Sequence, residues 1–64
     1  MTTKQQQLAV AAIRADRELH RADLKYGMRS EEARQALRLA ERALAAAEAA
    51  GCTIDDYEFA RRTA

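Results

Sequence analysis

The sequence predicts an all-α fold. It reads as an antiparallel helical hairpin, at about residues 3–26 and 31–50, with a short third helix at about 54–62, in a single small helical domain spanning residues 1–64. Three observations predict it. No proline is present to break a helix. The only two glycines, Gly27 and Gly51, divide the chain into three segments. Within the segments, apolar residues return every three or four positions, the period of one helix face.

The first helix starts at a capping signal. Thr3 with Gln6 three residues later fits a capping box, in which the two residues satisfy each other's free backbone donors. Leu8, Ala12, Ala15, Leu19, Ala22 and Tyr26 then form one stripe. Gly27 is read as its stop. The second helix starts at Ser30, a good N-cap residue. Glu31 and Glu32 follow, where negative charge complements the helix dipole. Its stripe is Ala33, Leu37, Ala40, Leu44 and Ala47, and Gly51 ends it. Thr53 and Asp56 make a second capping pair, and Cys52 before the cap with Tyr57 after it fits a hydrophobic staple. Small alanine side chains allow two helices to approach closely. The short Gly27–Ser30 connection makes the first two helices antiparallel neighbours.

One hairpin does not use all the apolar residues. Ala9, Ile13, His20 and Leu24 form a second stripe on helix one, with Val10 beside it. Leu39 extends the face of helix two sideways, and Phe59 points away from Ile54 and Tyr57 on helix three. Two explanations are open. Helix three covers these residues, or they form an association surface, most simply in a two-fold homodimer that builds a four-helix bundle. The size of the chain favours association. Sixty-four residues with six Leu, two Ile and one Val supply little core, and small domains often gain stability by associating. Val10, Ile13, His20, Leu24, Leu39 and Phe59 are therefore the candidate protein-interaction residues.

Several chemistries are excluded or weak. A lone cysteine, Cys52, allows no internal disulfide and lacks a redox partner. It lies just before a helix N-terminus, which tends to lower a thiol pKa, but also in a position that normally makes an apolar contact. Asp16, His20 and Asp23 share a face at i, i+4 and i+7, yet no metal-binding motif surrounds them. A solvated acidic edge explains them. No Gly-rich phosphate loop is present. The sequence thus implies no enzyme, no catalytic residue, no metal and no cofactor. No apolar run is long enough for a signal peptide or a membrane span, so a cytoplasmic location is expected. The alanine-rich faces would bury little area in lipid.

Charge separates the two remaining readings. The net charge of +1 gives no global attraction to nucleic acid. Arg34, Arg38 and Arg42 line one face of helix two, and Arg61 and Arg62 lie near the chain's end. They are the nucleic-acid contacts if the three helices form a DNA-binding regulator of helix-turn-helix type. Against this, the candidate recognition helix opens on Asp55, Asp56 and Glu58, where such helices meet the groove. The first reading is a small helical protein–protein interaction module that binds itself and an unidentified protein. It would be an adaptor, inhibitor or regulator. The excess of Arg over Lys and the many alanines fit a bacterial or phage genome.

Overall fold

A computed structural model describes residues 2–64. All regular structure among the described residues is helical: α1 spans Lys4–Tyr26, α2 Glu31–Ala49 and α3 Ile54–Thr63. These bounds lie within a residue or so of those expected, because local chemistry sets them. The Thr3 hydroxyl accepts from the Gln6 backbone N–H at 3.0 Å, and the Thr3 N–H donates to Gln6 Oε1 at 2.9 Å. Ser30 Oγ accepts from the Ala33 N–H at 3.1 Å. Thr53 and Asp56 repeat the reciprocal box, with the Thr53 N–H donating to Asp56 Oδ2 at 2.8 Å.

The end of α2 is a Schellman turn. The Cys52 N–H donates to the Ala47 carbonyl at 3.1 Å and the Gly51 N–H to the Glu48 carbonyl at 3.0 Å. That closure requires a left-handed residue, and Gly51 has φ +80°. The end of α1 differs: the Gly27 N–H still donates to the Asp23 carbonyl at 3.0 Å, and the chain then turns away at φ +93° and ψ 151°.

Both other helices pack on α1, and α2 and α3 do not pack on each other. The end of α2 lies by the start of α1: Gln5 Nε2 donates to the Ala50 carbonyl at 3.1 Å. From there α3 runs along α1 in the same direction. Cys52 Sγ donates to the Gln5 carbonyl at 3.1 Å, and about three turns further on the Arg17 guanidinium donates to the Arg61 carbonyl at 3.1 Å and to an oxygen of Ala64.

The core is alanine. The buried hydrophobic residues among those described are Ala9 and Ala12 of α1, Ala33 and Ala47 of α2, and Ala60 of α3. No large side chain among the described residues is fully buried. This alters the expected seam of α2. Its centre is the series Ala33, Ala36, Ala40, Ala43 and Ala47, all buried or half-buried. Leu37 and Leu44 lie roughly 60–80° to one side of that series and Leu39 a similar angle to the other. Leu37 and Leu44 each keep 45% of their surface exposed. Alanine at the line of contact allows two backbones to come close, and leucine is too large for that line, so it flanks it.

Candidate functional site

Because α2 and α3 sit apart on α1, a trough opens between them with a volume of about 410 Å3. Ala12, Ile13, Asp16 and Leu19 of α1 form its floor. Leu37, Ala40, Glu41 and Leu44 of α2 form one wall, and Tyr57 and Arg61 of α3 the other. The lining is mainly aliphatic and aromatic. Its charges are two carboxylates, Asp16 and Glu41, and one guanidinium, Arg61. The Tyr57 phenol pKa is raised, chiefly by burial and further by the nearby Cys52, Glu48 and Asp56.

The expected interaction residues do not form one surface. Ile13 is half-buried and lines the trough, while Val10 and Phe59 are half-buried elsewhere. His20 and Leu24 are exposed on α1 beyond the end of α3. Leu39 lies on the far side of the α1–α2 pair, in a shallow depression with Ala15, Ala22 and Ala36. Cover by helix three thus accounts for only the first half of the second stripe. Helix three covers Ala9 and part of Ile13, and leaves His20 and Leu24 to solvent.

Sequence reasoning did not assign Leu37, Leu44, Asp16, Glu41 and Tyr57 to a shared site. Leu37 and Leu44 carried a usable signal, since both stand off the arc of alanines. The trough wall supplied by Tyr57 carried none, because it depends on where α3 docks.

Other candidate groups are tied into the fold. The Cys52 thiol, bonded to Gln5, has its pKa raised by burial and by the Asp56 carboxylate, against an opposing backbone hydrogen bond from Ala9. That is the reverse of an activated nucleophile. No group of three or more His, Cys, Asp or Glu among the described residues is placed to hold a metal ion, Asp16, His20 and Asp23 included. No helix is long and apolar enough to cross a membrane.

The basic residues are divided. Arg34, Arg38 and Arg42 are exposed on α2, with Arg38 3.5 Å from Glu31. Arg61 and Arg62 are exposed on α3, which does not pack on α2. On α1, Arg21 pairs with Glu18 at 2.7 Å and Lys25 lies 5.3 Å from the centre of the Tyr26 ring. Comparison with protein families, with curated proteins and with solved structures returns no match to this chain.

Proposed function

We propose that this chain is a small helical protein–protein interaction module, in which the antiparallel α1–α2 hairpin associates with a second copy as a homodimeric bundle. In that form it acts as an adaptor, inhibitor or regulator, presenting a helix face to a partner protein. The observation that supports this most is the open apolar trough. Leu37 and Leu44 leave nearly half their surface in water there, while the core behind them is alanine. Removing apolar surface from water contributes about 25 cal/mol per Å2, so covering these side chains supplies stability the core lacks. The alternative, a DNA-binding regulator contacting phosphates through Arg34, Arg38, Arg42, Arg61 and Arg62, draws less support, because those residues stand on helices that do not pack together.

Sedimentation across a concentration series tests the proposal. The expected result is a species of twice the 7.2 kDa chain mass. A monomer throughout the high micromolar range would refute self-association. Salt-sensitive binding to duplex DNA by the same sample would favour the alternative.

A further inference from the structure

The fold exposes more surface than its mass calls for. A folded monomer of 7.2 kDa has about 4,100 Å2 of accessible surface, and this chain has 4829 Å2. The excess, about 700 Å2, is close to the roughly 800 Å2 that each partner gives up in a standard protein–protein interface. The arrangement of the helices produces it, because α2 and α3 pack on α1 and not on each other.

One side of α2 is where a further helix can recover that area. Arg34, Leu37, Glu41, Leu44 and Glu48 follow one another at spacings of three and four, so they share that side. All of them are exposed. Leu37, Glu41 and Leu44 belong to the α2 wall of the trough, and Arg34 and Glu48 continue the row at its two ends. The row is about 21 Å long. Alternating spacings of three and four are those of a seam that receives a second helix.

We infer that a second copy of this chain lays its α2 antiparallel on this side of α2, the two helices crossing at Glu41, so that the leucines of each copy cover the trough of the other. This rests on the reading of the chain as a self-associating module and specifies its interface. A two-fold contact of this kind uses one patch twice.

Charge selects the occupant and its direction. With the trough floor and the facing wall included, the surface carries Arg34 and Arg61 against Asp16, Glu41 and Glu48. Arg38 at its margin is 3.5 Å from Glu31. Both signs are present with little excess of either, so a strongly charged partner finds no complementary field here. A parallel copy would bring Arg34, Glu41 and Glu48 each onto its own kind. The antiparallel copy does not. Glu41 stands seven residues from Arg34 and seven from Glu48, so a crossing at Glu41 sets Arg34 against the partner's Glu48 and Glu48 against the partner's Arg34. Neither residue is in an ion pair among the described residues. The last turn of α2 has no basic residue of its own, and the partner's Arg34 brings a cation to that negative end of the helix dipole. Of the row, Glu41 alone meets its own kind, at the crossing.

Sedimentation equilibrium, with helicity followed by circular dichroism, tests this. Arg34 and Glu48 are exposed, so the fold is expected to tolerate their reversal. Arg34→Glu is expected to weaken the dimer several-fold, and Glu48→Arg to do the same. Both changes in one chain are expected to restore it, because each reversed residue then meets a reversed partner. Glu41→Gln is expected to tighten the dimer, since it removes the like pair at the crossing. Leu37→Asp with Leu44→Asp is expected to give a helical monomer. Should that variant lose its helicity, the charge variants decide, because they leave the leucines in place. A wild-type dimer unmoved by both single reversals, or one that Glu41→Gln leaves unmoved or loosens, would overturn the inference and leave self-association standing. Failure of the double reversal to restore the dimer would overturn the antiparallel crossing. A wild-type monomer would overturn this inference and the self-association reading together.

Discussion

Ala9 and Leu24 belong to one stripe of α1, yet Ala9 has no exposed surface and Leu24 keeps 85% of its own. The stripe has the same helical spacing at both ends. The difference lies in α3. Its ten residues make about 15 Å of helix, whereas the 23 residues of α1 make about 34 Å. Starting beside Gln5 and ending beside Arg17, α3 covers the first part of the stripe and stops. The covered part carries a small residue, Ala9, and α3 likewise buries a small one, Ala60, both fully buried. The uncovered part carries a large one. A stripe of constant pattern is therefore core at one end and surface at the other, and the length of a neighbouring helix sets the boundary.

Substitutions that lift α3 off α1 are the strongest way to break this contrast. Ala9→Leu forces a branched side chain into a fully closed contact, and overpacking typically costs about 1–3 kcal/mol. Thermal or urea unfolding is expected to show that loss, and an unchanged midpoint would mean that α3 does not press on Ala9. Gly51→Ala acts one step earlier, on the turn that aims α3. A Cβ there meets only Gln5 Nε2 at 3.8 Å, so space is ample. The cost arises from the backbone: about 1–2 kcal/mol for an L-residue held at φ +80°. A gain in stability would instead indicate a helix running on through residue 51.

A smaller effect is expected from Thr53→Ala. It removes the hydroxyl that accepts from the Asp56 N–H, and loss of such a cap costs about 1 kcal/mol. Helicity and the melting midpoint report it together. The contrast itself is sharpest in the pair Ile13→Ser and Leu24→Ser, measured at concentrations low enough to hold the chain monomeric. Ile13 is half-buried, so about 1 kcal/mol is expected from its loss. Leu24→Ser is expected to stay within about 0.5 kcal/mol of wild type, as surface changes do. Equal losses would show that the stripe is covered along its whole length.

The least perturbing probe is the native thiol. Burial and Asp56 raise the Cys52 pKa, so the folded chain holds its proton to higher pH than the unfolded chain does. The stability linked to this group is then full below its ordinary pKa and is lost as the pH rises through the raised value. Near pH 8, iodoacetamide is expected to alkylate Cys52 more slowly in buffer than in urea. Equal rates would mean that α3 does not shelter the thiol.

Local chemistry made much of this protein legible in its sequence. The starts of α1, α2 and α3 are written in Thr3–Gln6, Ser30 and Thr53–Asp56, because a cap is made within three or four residues of itself. The stop at Gly51 is equally local, since its bonds reach back only to Ala47 and Glu48. The use of alanine where helices meet also follows from sequence, as a repeat of small residues at helical spacing admits a close neighbour. What the tertiary structure alone decided is where that neighbour lies. The spacing of Leu37 and Leu44 placed them on the same broad face as Ala33 and Ala47, and only packing against α1 chose the alanines for the contact and turned the leucines toward the trough. The direction of α3 was likewise open. The same caps and turn permit several dockings, and the bond from Cys52 to the Gln5 carbonyl, forty-seven positions apart in sequence, is not encoded in any local pattern. The trough, its carboxylates and the exposed Leu24 all follow from that one docking.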